Sequence, residues 1–121
     1  MANTFKVVRF AAEPNSSGTE YVMYTTPSST TTIVLGLLLT NIHTAQVTAT
    51  VRLISDTTKT GATGNADNGT SILIKDAPIP VGSSLELLAG NKIVLETTDQ
   101  IDIDCSVADK LSGTMSIMEI T

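Results

Sequence analysis

Tryptophan is missing from this 121-residue chain, and two Phe and two Tyr make up its whole aromatic content. Sugar binding by ring stacking, and a stacking platform for single-stranded nucleic acid, both need more rings than this. One cysteine, Cys105, excludes an intrachain disulfide. Its period-two spacing with Ile101 and Ile103 marks a core position and an inert thiol. The single histidine, His43, has no carboxylate beside it, so neither a triad nor a metal pair can be built locally. Basic residues are also scarce. Seven Lys and Arg stand against twelve Asp and Glu, a net charge of −5. Such a surface is a poor partner for a phosphate backbone, so nucleic acid is not an expected ligand.

The opening residues MANTFKVVRF lack the apolar core of a secretion signal, and no apolar run approaches the ~20 residues of a membrane-spanning helix. The expectation is a chain folded in a cytoplasm, with no membrane partner. Signatures of chemistry are missing too. There is no GxSxG elbow and no P-loop. The stretch GNADNG fails as an EF-hand, because Gly64, Ala66 and Asn68 fall at ligand places. No catalytic residue, cofactor or metal site is expected, and the chain is not read as an enzyme. An acidic strip at Asp99, Asp102 and Asp104, with Glu96 nearby, reads as a solvated strand face, with a calcium site as the competing reading.

What is present is strand after strand. Hydrophobic residues make up 41% of the chain, enough for a core, and the length fits one domain over residues 1–121. The centre is Thr32–Ile42. Ile33, Leu35, Leu37 and Leu39 fall on one face of a strand and Val34 and Leu38 on the other, so it must be covered on both sides. Phe5–Phe10 forms an N-terminal strand or arm within residues 1–18, followed by a loop at Ala11–Gly18. Thr19–Thr25 is a second strand. Ala45–Ile54 alternates cleanly, with a Thr-rich wet face. Residues 55–69 form a long surface loop facing solvent. Thr70–Lys75 is a strand, and the prolines of Asp76–Gly82 suit a sheet edge, with a type I turn from Ile79. Ser83–Leu88 and Lys92–Glu96 read as a hairpin across Ala89-Gly90-Asn91. Gln100–Val107 and Ser112–Ile120 close the chain. About nine short strands with no amphipathic helix define an all-β two-sheet sandwich, jelly-roll or Ig-like.

Several strands are apolar on both faces. Met115 and Ile117 oppose Met118 and Ile120 across the last one. Apolar surface beyond what a core needs points to subunit contact. The expected assembly interface is Phe5, Val7 and Phe10, with Tyr21, Met23 and Tyr24, and with Met115, Ile117, Met118 and Ile120.

The stretch PSSTTTIVLGLLLTNI from Pro27, and the run KDAPIPVGSSLELLAGNKIVLETTDQIDI from Lys75 with the closing SIMEI, resemble small virion structural proteins of tailed bacteriophages, especially those of marine and cyanobacterial phages. The pattern departs at Thr98-Asp99, where Gly-Asp is common. The resemblance implies a non-enzymatic building block located on the virion. The leading reading is a capsid decoration (cement) protein, with a major capsid protein or other virion proteins as partners and a homo-oligomer, a trimer by preference. A neck or proximal-tail ring is the first alternative. A host-surface glycan-binding module is the second.

Overall fold

A computed structural model describes residues 2–55, 69–88 and 90–121, all in strands and their connections. The strands are β1 (Asn3–Glu13), β2 (Tyr21–Thr25), β3 (Thr31–Asn41), β4 (Val47–Ser55), β5 (Gly69–Ile79), β6 (Ser84–Leu87), β7 (Ile93–Leu95), β8 (Gln100–Cys105) and β9 (Leu111–Ile120). From 56 to 68 the expected surface loop lies outside the described residues.

Every pairing is antiparallel. Hairpin partners β4 and β5 are consecutive in the chain. Moving outwards from them, β3 meets β6 and β7, β2 meets β8, and β1 meets β9. The chain is one long double strand, rolled up and closed by two further pairings, β3 with β9 and β4 with β8. The result is two sheets, β1-β9-β3-β6 (with β7 also on β3) and β2-β8-β4-β5. This connectivity is a jelly roll and decides between the two sandwich topologies open from sequence.

The core lies between the sheets. Val34, Leu37 and Leu39 of β3, Met115 and Ile117 of β9, and Val47, Ala49 and Val51 of β4 are all essentially inaccessible. Full burial of one such side chain favours the folded state by roughly 1.5–3 kcal/mol. Phe10 lies over Gly113, its register partner, and meets Tyr21 edge-on with ring centroids 5.2 Å apart. A Cβ at position 113 would stand 2.3 Å from the Phe10 ring, so only glycine fits there. Cys105 is fully buried, as its spacing suggests, and burial pushes its thiol pKa up.

Asn41 pins the far end of β3. Its buried amide donates to the carbonyls of Ala45 and Ile79, both at 2.9 Å, and its Oδ1 accepts from the His43 amide. This ties β3 to the end of β5 and fixes the start of β4.

Three local expectations change. The segments read as a hairpin, β6 and β7, do not pair with each other. Both lie against β3, on Leu37–Thr40 and Thr32–Val34 respectively. They form one interrupted edge strand, because the bulge between Val34 and Gly36 breaks the register on β3. The proline turn begins one residue later than Ile79. The Ser83 amide donates to Pro80, and Gly82, with φ +73°, takes the left-handed third position of a type II geometry. Finally, the N-terminal segment is no loose arm. β1 runs on to Glu13, past the expected loop boundary, and pairs with β9 from Asn3 to Phe10 and again at Glu13.

Candidate assembly surfaces

Pleating sorts the apolar residues of the first sheet into inner and outer sets. With Phe10, Met115, Ile117, Val34 and Leu95 inside, the intervening residues point outwards. Register then assembles rows across four strands. One runs Phe5–Met118–Ile33–Val94. It is apolar throughout, with Phe5 73% and Val94 57% exposed. The next holds Val7, 63% exposed, then Ser116 and Gly36. The third runs Arg9–Thr114–Leu38–Glu86, with a cation at one margin and an anion at the other. Over β9 and β3, beside Glu86 of β6, the face dips into a shallow depression of about 330 Å³, lined by Gly36, Leu38, Glu86 and Ser116 among others.

The ten residues expected to form an interface divide by pleat. Phe5 and Val7 are exposed, and Met118 and Ile120 are part-exposed on the same outer face. These four come together, with Ile33 and Val94 completing the patch. Phe10, Met23, Met115 and Ile117 are buried core residues, so they have no surface to offer. Tyr21 and Tyr24 on β2 are half-buried and belong to the interior of the sandwich, packing against the core. Two-sidedness of the last strand is visible in sequence. Which side faces water depends on the partner sheet, and residue types alone do not encode that.

At one end of the sandwich a polar cluster joins the two sheets. Lys6 lies 2.7 Å from Glu119, whose other carboxylate oxygen accepts from the Tyr24 hydroxyl at 2.5 Å. Tyr24 also shares a hydrogen bond of 2.8 Å with the buried Thr32. The charge-assisted bond from Lys6, and then that from Tyr24, hold the Glu119 carboxyl below its ordinary pKa. Burial, together with the Glu119 carboxylate, pushes the Tyr24 phenol up to about 12. This is a structural clamp. Nothing in it is placed to move a proton to a ligand.

The acidic strip of β8 is not the solvated face expected from sequence. Asp99 and Asp102 are both buried. Asp99 Oδ2 accepts from the Glu96 amide at 3.0 Å and closes the turn leading into β8. Asp104 pairs with Arg52 at 2.6 Å, and Glu20 approaches the same guanidinium at 3.6 Å. Asp102 lies between Val22 and Arg52 in register, and its Oδ1 is buried without a partner among the described residues. Burial, and then the Glu20 charge, push its pKa up to about 6. The centre of an alternating strand in a four-stranded sheet is covered by its neighbours' long side chains, which strand periodicity does not reveal. Among the described residues, no cluster of three or more His, Cys, Asp or Glu has the arrangement to hold a metal ion. Among the same residues no helix is long and apolar enough to cross a membrane.

No family model and no curated protein matches this chain. Several solved structures do. A chain of the T13 particle of infectious bursal disease virus aligns with TM-score 0.52 and 8% identity, over 97% of this chain and 30% of that one. The acid-stable capsid of Helicobacter pylori bacteriophage KHP30 aligns with TM-score 0.50 and 9% identity, over 100% of this chain and 89% of that one. An endospore appendage of Bacillus aligns at TM-score 0.46 with 16% identity, over 99% and 87% of the two chains. This chain spans about a third of the bursal virus chains and most of the phage one. At these identities the likeness is one of fold. The all-β sandwich built here is a fold that virus particles use.

Proposed function

We propose that this chain is a non-enzymatic structural protein of a virus particle, and specifically a capsid decoration protein of a tailed bacteriophage. The observation that carries the reading is the outer face of the β1-β9-β3-β6 sheet. A row of four apolar residues crosses it in register, with Phe5 and Val94 largely exposed at its margins. Exposed contiguous apolar surface on a sheet face marks a contact surface. The fold likeness to the phage KHP30 capsid, over nearly the whole of both chains, supports the same reading. The partners are further copies of this chain and the major capsid protein or another virion protein. A neck or proximal-tail ring is the alternative position for the same building block. The trimer expected from sequence follows from shell symmetry alone. The surface pattern itself argues for a two-fold contact, developed below.

Imaging of virions labelled with an antibody fragment raised against this domain tests the role. Label over the whole head supports decoration, and label at one vertex or along the tail moves the protein to the neck or tail. Unlabelled particles would overturn the virion reading.

A further inference from the structure

We infer that the outer face of the β1-β9-β3-β6 sheet is a self-complementary surface that pairs with a second copy of this chain about a two-fold axis parallel to the strands. This inference concerns the isolated chain and does not depend on the virion role.

A two-fold axis running along the strands between β9 and β3, just above the sheet, lays each row on its own reverse. Phe5 of one copy then covers Val94 of the other, and Met118 covers Ile33. The apolar row meets only itself. Arg9 lies over Glu86, so each margin of the charged row finds the opposite sign, twice per dimer. Both side chains are exposed, and neither belongs to an ion pair of this chain that the described residues form. Val7, projecting at the β1 margin, arrives at the opposite margin beyond Gly36, where β6 ends and β7 has not begun and no strand residue stands in its row.

The competing face-to-face arrangement, with the axis across the strands, exchanges the rows. It would set the apolar row against Arg9 and Glu86 and bury two charges against hydrocarbon, which is costly. Among arrangements that overlap the whole face, row order therefore selects the axis along the strands. Sheet twist rotates the two sets of strands by up to ~30°, which leaves rows near the axis facing each other. Extent also suffices. Four strands at ~4.8 Å, each about nine residues at ~3.4 Å, give a flat face of roughly 600 Å². Pleating and side chains bring its accessible area to the order of the ~800 Å² per partner of a standard stable interface.

Sedimentation equilibrium of the purified chain at tens of micromolar provides the test. The chain weighs 12.7 kDa. A two-chain mass is expected for the unaltered protein. Arg9→Glu and Glu86→Arg each place like charges together at two symmetric contacts and are expected to weaken association by roughly a hundredfold. The double variant Arg9→Glu/Glu86→Arg restores opposite signs and is expected to recover the dimer. All these positions are exposed, and circular dichroism verifies that each variant folds. A monomer at all concentrations, a trimeric mass, or a dimer indifferent to both single reversals would overturn the inference. So would a double variant no tighter than the singles.

Discussion

Replacing Gly113 by alanine should destabilise the fold because of one ring. Gly113 is not in a left-handed conformation, so alanine suits its backbone. On that ground alone, substitution should stabilise by about 0.4–1 kcal/mol through the unfolded chain. Opposing this, the new methyl would stand 2.3 Å from Phe10 Cε2 and 2.6 Å from Cζ. To reach ordinary contact the ring must retreat by roughly 1 Å, in an interior with no slack. The retreat is blocked because Phe10 is buried and already in edge contact with Tyr21. Overpacking of this kind costs about 1–3 kcal/mol, so the net loss should be about 1–2 kcal/mol. A chain of this size has an unfolding entropy of about 0.25 kcal/mol/K, which converts the loss to a fall in Tm of about 4–8 °C. Thermal melts of Gly113→Ala, Phe10→Leu and the double variant form a cycle. If the ring is the cause, alanine is nearly free of cost in the Phe10→Leu background, and the coupling is about 1 kcal/mol or more. A Gly113→Ala protein melting at or above the parent temperature, or a cycle with no coupling, would refute the packing argument.

Three further perturbations probe other sites. Glu119→Gln should cost about 1–2 kcal/mol at pH 7, since Lys6 loses its anion and Tyr24 its charged acceptor. Because the folded carboxyl titrates below its ordinary value of 4.5, the parent holds this stability above that pH and loses it as pH falls further, so melts of the two proteins should converge in acid. Asp102→Asn should act in the opposite sense. With a folded pKa of about 6 against 3.8, the parent loses stability as pH rises through that window, so the variant should melt higher at pH 7, by about 1 kcal/mol after solvent screening, and unchanged near pH 4; an equal loss at both pH values would refute the burial argument. Thr98→Gly should stabilise by about 1 kcal/mol in a chemical denaturation curve, because Thr98 holds φ at 69°, where a β-branched residue is strained.

That last position shows how far the sequence could be read. Thr98 departs from the Gly-Asp pattern of the proteins this chain resembles, and the turn still takes the conformation glycine favours. The Asp99 amide donates to Glu96 and the Thr98 amide to Thr26, and these bonds hold the turn against the side chain. Strand existence was legible throughout, because alternation and turn residues are local signals. So was the central strand, expected at Thr32–Ile42 and found at Thr31–Asn41. Pairings were not. Lys6 finds Glu119, and Phe10 finds Gly113, only after the rolled double strand brings the chain ends together. Face assignment failed for the same reason. Met115 and Met118 are chemically alike, and only the second sheet decides that one is core and the other surface. Asp102 was misread because its cover comes from β2 and β4, distant in sequence.

The four sheet margins are unequal, and that bears on whether the protein can polymerise. β2 is five residues long, β5 carries Pro78, and the β6–β7 margin is interrupted at the bulge. Among the described margins β1 and β5 are equally long, eleven residues each, and only β1 is free of proline. Head-to-tail growth by sheet continuation needs two compatible margins on each copy, one to give and one to receive. This chain has one. Edge-to-edge contact can therefore join β1 to β1 and stop there. The chain is thus shielded from forming endless ribbons, while its open face stays free for contacts that close.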